Sequence, residues 1–204
     1  MLGDMTPRAA PLSPDERRRA IVDAVLPLLI EHGRAVTTRQ MAEAAGIAEG
    51  TIFRVFDSKD ALIDAALTEA FRPGPLIEGI ERIDPDQPLR ARLVAIVTVL
   101  QDRFVEIFGL MRAVGLVAPP RHAHASDDEV AWRERVTKSM AALVEPDRDQ
   151  LRVPPEELLR LMRLLTFSGS HIEIADNRLL TPEEIVDVIM HGTCTHDTTA
   201  LDET

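Results

Sequence analysis

Cysteine occurs once in the 204 residues, at Cys194, which excludes an internal disulfide framework and any metal site built from cysteines alone. Tyrosine is absent, and lysine nearly so: two lysines stand against 21 arginines, a ratio read as genome composition. Long apolar runs are missing too. The longest stretch without a charged residue is nine, far short of the ~20 apolar residues of a membrane-spanning helix. The opening MLGDMTPRAAPLSPDE has no apolar core of the signal-peptide kind, so a cytoplasmic location is expected. There is no nucleophile elbow, no HExxH and no phosphate-binding glycine loop. No alternating β-type run of useful length appears, and the turn dipeptide Asn-Gly is absent.

What remains is ordinary globular composition, 45% hydrophobic and 28% charged, with a net charge of −11. The charge is unevenly placed. Residues 1–60 carry 8 basic and 9 acidic side chains, whereas residues 61–204 carry 15 and 25. An acidic body argues against indiscriminate nucleic-acid binding. A near-neutral front leaves room for a small domain that touches DNA through a few placed groups.

Helix signals dominate. Ser13-Pro14-Asp15-Glu16, Thr37-Thr38-Arg39-Gln40 and Thr181-Pro182-Glu183-Glu184 each fit a capping box. Two of them put Pro at the first helical position, where its missing N–H costs nothing. Helical spacing of apolar residues then predicts helices over 14–32, 38–45, 49–55, 59–71, 88–108, 109–117, 127–145, 155–175 and 182–192, hence an all-α fold. Pro27 is expected to kink the first of these. Proline-rich breaks fall at 73–75 and 85–88, the segment 118–128 reads as an exposed loop, and residues 193–204 as a disordered tail.

Residues 37–56, TTRQMAEAAGIAEGTIFRVF, read as helix–turn–helix. Met41, Ala42 and Ala45 would face inward, Gly46 would supply a positive φ at the turn, and Ile47 would plug it. Ile52 and Phe56 would return to the core. The outward face of the second helix is then Glu49, Gly50, Thr51, Phe53, Arg54 and Val55, the face such a helix presents to base edges in the major groove. By periodicity alone, a pair of short helices packed in an all-α core is an equal alternative.

The run Ile21–Leu67 resembles the DNA-binding domain of TetR-family transcriptional regulators. Gly33, Thr37-Thr38, Ala42 with Ala45-Gly46, Gly50-Thr51-Ile52-Phe53, Phe56 and Ser58-Lys59 before Leu62 carry the resemblance. It implies a flexible arm over 1–13, a DNA-binding domain over 14–58, and a helical ligand-binding and dimerising domain over 59–192. It also implies a homodimer, and the chain reads as a repressor on a palindromic double-stranded DNA operator, released by a small apolar or amphipathic effector, with no cofactor assigned. Thr38 would then contact a phosphate, Glu49, Gly50, Thr51 and Arg54 would lie at base edges, and Phe53, Val55 and Lys59 would approach the backbone. Arg54 is a candidate for bidentate guanine readout, with a phosphate-bound or solvated side chain as its alternative. Arg17, Arg18 and Arg19 are either further backbone contacts or a solvated helix face. Three positions depart from the family pattern. Ala48 stands where Ser or Thr would cap the recognition helix, worth ~0.5–2 kcal/mol, Phe53 replaces the common Tyr, and Val55 the common His.

In the larger domain, helix 155–175 is apolar on nearly every face, so one side should meet its own domain and the other a partner. Leu161, Leu164, Leu165, Ile185 and Ile189 are the expected dimer interface. Phe104, Phe108, Met111, Trp132, Met140, Met162 and Phe167 are candidates to line an effector pocket, with Arg103, Glu106, Arg112 and His171 as polar groups near them. No catalytic residue is assigned. The ligand-type residues His122, His124, His191, Cys194 and His196 fall in a loop and a tail, so no metal site is assigned either. The rival readings are a ligand-binding helical module without specific DNA binding and a small metal-dependent enzyme.

Overall fold

The computed structural model describes residues 13–117 and 127–193. Helices account for its regular structure: α1 (Pro14–His32), α2 (Thr38–Ala44), α3 (Glu49–Ile52), α4 (Lys59–Ala70), α5 (Gly74–Glu81), α6 (Leu89–Val114), α7 (Asp127–Val144), α8 (Pro155–Gly169) and α9 (Pro182–Thr193). Short 3-10 turns follow α1 at Gly33–Ala35 and α7 at Glu145–Gln150. No strand occurs among the described residues, so the all-α expectation holds.

All three capping boxes form. Ser13 with Glu16 and Thr37 with Gln40 exchange both bonds. The Thr181 N–H donates to Glu184 Oε2 at 2.9 Å while the Glu184 N–H donates to Thr181 Oγ1 at 3.2 Å. The Ser13 N–H and hydroxyl hold the Glu16 carboxyl below its ordinary value. Helix α1 runs unbroken through Pro27, which lies on its exposed face. There the carbonyl left without an N–H partner can turn to water.

The chain divides into two compact units. Among the described residues, the first contains 13–71 and 110–117; the second contains 72–109 and 127–193. In the first core, Val25 and Leu29 of α1 are buried with Met41, Ile52, Leu62, Ile63 and Leu67. Each such side chain contributes roughly 1.5–3 kcal/mol before chain entropy is charged against it. A boundary at residue 58 would cut α4 away from this core, because Leu62, Ile63, Ala66 and Leu67 are all buried within it.

Three elements outside the helix–turn–helix differ from the sequence reading. Residues 73–75, read as a break, begin helix α5, with Pro75 in its first turn. Helix α6 passes straight through Gly109, where two helices were expected. Glycine costs about 1 kcal/mol in a helix interior, and burial of Leu110 and Val114 in the first core outweighs it. Helix α8 stops at Gly169 and does not reach 175. The Ser170 hydroxyl donates back to the Thr166 carbonyl at 2.6 Å, and the turn that follows places Asp176 and Asn177 at positive φ.

In the second unit, α5, α6, α7, α8 and α9 share one apolar core around Leu93, Ile96, Met140, Leu158, Met162 and Ile185. Arg92 and Arg103 are buried charges of this unit; Arg92 donates to Asp147 and, at 3.2 Å, to the Pro85 carbonyl. Residues 118–126 and the tail after Thr193 lie outside the described residues, so the loop and tail expectations are not addressed.

Candidate nucleic-acid interface

The turn between α2 and α3 is set by backbone geometry. Gly46 adopts φ +65°, and a Cβ there would meet nothing within 4 Å, so conformation and not space selects glycine. Its N–H donates to the Glu43 carbonyl at 3.1 Å and the Ile47 N–H to Ala42 at 3.0 Å. That pair of bonds is a Schellman closure of α2.

Beyond the turn, Ala48 offers no side-chain cap, and α3 is α-helical only over Glu49–Ile52. The helix expected over 49–55 therefore tightens. The Arg54 N–H donates to Thr51 at 3.2 Å and the Val55 N–H to Ile52 at 2.9 Å, three residues back. A missing cap and a glycine at position 50 both favour such a short helix. Ile52 and Phe56 are buried, as the helix–turn–helix reading requires. Glu49, Gly50, Phe53 and Arg54 are exposed together, Phe53 by 51%, while Thr51 and Val55 are half-buried.

The flanking groups are partly committed inside the unit. Arg18 lies over the Phe56 ring at 4.3 Å and donates to the Val55 carbonyl at 3.2 Å, closing the end of the recognition segment. In the sequence Arg18 is indistinguishable from Arg17 and Arg19, because a cation–π partner 38 positions away leaves no local signal. Lys59 Nζ donates to the Arg34 carbonyl at 2.9 Å, which leaves two of its three protons for other acceptors. Arg39 pairs with Glu43 at 2.9 Å, and that bond, followed by the charges of Glu43 and Glu49, holds its guanidinium above its ordinary pKa. The Thr38 hydroxyl donates to Glu49 Oε1 across the turn.

A family model for bacterial regulatory proteins of the TetR type matches residues 21–66, the region that holds this motif. The transcriptional repressor KstR of Rhodococcus jostii is 30% identical over 183 residues, spanning 82% of this chain and 82% of that protein. The chain belongs to the TetR family. Shorter matches reach 40% identity with the regulator YvkB of Bacillus subtilis and 42% with the repressor KstR2 of Rhodococcus jostii. They span only 34% and 26% of those proteins. Among solved structures, a TetR-family regulator from Mesorhizobium loti aligns with TM-score 0.57 at 15% identity, covering 91% of this chain and all of that one. LfrR of Mycobacterium smegmatis, solved in complex with proflavine, aligns with TM-score 0.50 at 22% identity, covering 86% and 94%. These likenesses show the TetR-family fold over most of the chain.

The second unit distributes the expected pocket residues over different surroundings. Phe104, Phe108 and Phe167 form one aromatic cluster, with Phe167 edge-on to Phe104 at 5.4 Å and to Phe108 at 5.1 Å. His171 packs against Phe108 at 4.8 Å, and its buried Nδ1 has no hydrogen-bond partner among the described residues. Met140 and Met162 are core, Trp132 packs half-buried on that core, and Met111 belongs to the first unit. Arg103 is a tie between elements: it donates to Glu106 Oε2 and to the Arg72 carbonyl, each at 2.8 Å.

Leu161, Leu164, Leu165 and Ser168 of α8 and Val188, Ile189, Gly192 and Thr193 of α9 line an open apolar groove of about 490 Å³. Ile185, expected at an interface, is fully buried in the unit's own core; Val188, 63% exposed, takes the outward position on α9. No described helix is long and apolar enough to cross a membrane. No group of three metal-ligating side chains occurs among the described residues; His122, His124, Cys194 and His196 lie outside them.

Proposed function

We propose that this TetR-family member is a ligand-responsive repressor that binds a palindromic operator as a homodimer in the cytoplasm. The observation that carries the reading is the helix–turn–helix face itself. Glu49, Gly50, Phe53 and Arg54 project from a short helix whose Ile52 and Phe56 anchor it to the core. The unit that holds this face would be the DNA-binding domain, with Thr51, Val55, Lys59 and Thr38 at its rim. The second unit would bind the effector and dimerise. The names of KstR and KstR2 as repressors, and of LfrR with proflavine, support that division by analogy.

The outward α8–α9 groove, with Leu164 and Val188 exposed, is the proposed dimer surface. The Phe104, Phe108 and Phe167 cluster with His171 is the proposed effector end, suited to an apolar or aromatic ligand. A ligand that favours one arrangement of the second unit would alter the spacing of the paired recognition segments. That spacing must match successive major grooves, ~34–36 Å apart.

The test is selection of random duplex DNA by the full-length protein, with enriched sites retested across salt. A palindromic motif with half-sites about one turn apart is expected, and its occupancy should fall when an effector is added. Absence of enrichment at low salt would overturn specific binding by the unliganded protein.

A further inference from the structure

The Thr38 hydroxyl and the Glu49 carboxylate meet at the mouth of the helix–turn–helix turn. A hydroxyl has one proton, and this one is given to Glu49 Oε1, so it is not available to a phosphate at the same time. Thr38 is the position where the family resemblance implies a phosphate contact. Here it instead orients an acid.

Glu49 is an acceptor-only group on the exposed face of α3. Phosphates repel it, and Arg39, the cation that senses its charge, is already bonded to Glu43. A carboxylate held at this place is favourable on DNA only if a base supplies a donor. Base edges in the major groove offer two, the cytosine N4 amino group and the adenine N6 amino group. Adenine carries the N7 acceptor beside its amino group, which repels a carboxylate. Cytosine has no acceptor on that side.

Resting on the DNA-binding reading above, we propose that Glu49 is a specificity-determining residue that accepts from a cytosine amino group once in each half-site. Thr38 is its positioning residue. With Oε1 bound to Thr38, the carboxylate plane is restricted and Oε2 is left to receive the base. The pair thereby converts a group that weakens general DNA binding into one that discriminates between sequences.

The test uses full-length wild type, Glu49→Gln, Thr38→Val and Thr38→Ser. Each is measured on the selected operator and on duplexes carrying all four bases at each half-site position. Wild type should prefer cytosine at one position by roughly 5- to 150-fold. Glu49→Gln should move the preference there to adenine, which an amide can contact through both N6 and N7. Thr38→Val should erase most of the discrimination at that position only, and Thr38→Ser should restore it. Two results would overturn the proposal: Glu49→Gln strengthening binding to every duplex alike with an unchanged motif, or Thr38→Val weakening all duplexes by one factor, as loss of a phosphate donor would. If wild type enriches no motif at all, the DNA-binding reading itself has failed, which is a different result from either.

Discussion

A Cβ at position 33 would lie 2.2 Å from the carbonyl oxygen of Ala113. Gly33 ends α1 with φ 57° and ψ −145°, a conformation open to glycine and almost nothing else. Its missing side chain lets the last turn of α6 press its backbone against the end of α1, 80 positions earlier in the chain. The atoms a Cβ would meet are the backbone O and C of Ala113, which cannot swing aside as the end of a flexible side chain could.

Gly33→Ala should therefore lower stability by at least ~2 kcal/mol in denaturant unfolding, combining backbone strain with the Ala113 collision. Gly46→Ala, which has a similar φ but open space, should lose about 1–2 kcal/mol. Equal losses would mean that φ alone sets the cost at Gly33.

Arg54 is exposed and lies on the same face as Glu49 and Phe53. Arg54→Ala should reduce discrimination by ~1–3 kcal/mol at one base pair per half-site, with little change on random DNA. Competition titrations against operator variants decide it. Equal loss on specific and random duplexes would make Arg54 a phosphate clamp.

Arg18 should behave differently from its neighbour Arg19. Loss of the bond to the Val55 carbonyl and of the cation–π contact with Phe56 should cost Arg18→Ala about 1 kcal/mol of stability. Arg19→Ala should leave the unfolding midpoint within ~0.5 kcal/mol, as an exposed surface change does. A midpoint for Arg18→Ala that matches wild type would show that neither contact contributes.

The α8–α9 surface makes an assembly prediction. Val188→Glu and Leu164→Glu, at positions 63% and 43% exposed, should leave helix content unchanged yet shift sedimentation from dimer to monomer. Ile185→Glu should unfold the protein, since that side chain is fully buried. A dimer that survives both outward substitutions would place the interface elsewhere.

Glu184 gives a pH dependence with a definite sign. Its bond from Arg178, and then the Thr181 N–H, hold its carboxyl below the usual carboxylate value. A carboxyl depressed in the folded state contributes stability that is present above its unfolded value and lost as pH falls through the folded one. Melting curves of wild type and Glu184→Gln should thus differ at neutral pH and converge in acid below the ordinary carboxylate range. A constant difference across that range would show that ionisation of Glu184 plays no part.

Features that depend on three or four neighbouring residues are legible without the fold. Capping boxes at Ser13, Thr37 and Thr181 close within a single turn, and the Ala42–Ile47 closure needs only glycine at the right step, so both were legible. So was the face of α3, because Ile52 and Phe56 are four apart and must share one side of a helix. Packing sets the outcome where a local preference can be overruled. Gly109 reads as a helix end, but the burial of Leu110 and Val114 carries α6 through it. Gly74-Pro75 reads as a break, but Pro75 lies in the first turn of α5, where it needs no N–H donor. Nothing local told Ile185 from Val188 as the outward residue of α9, or bound Arg18 to Phe56, or set Thr38 against Glu49. Those pairings join parts of the chain that only packing brings together, and packing energies of a few kcal/mol exceed the tenths to one that intrinsic propensity supplies.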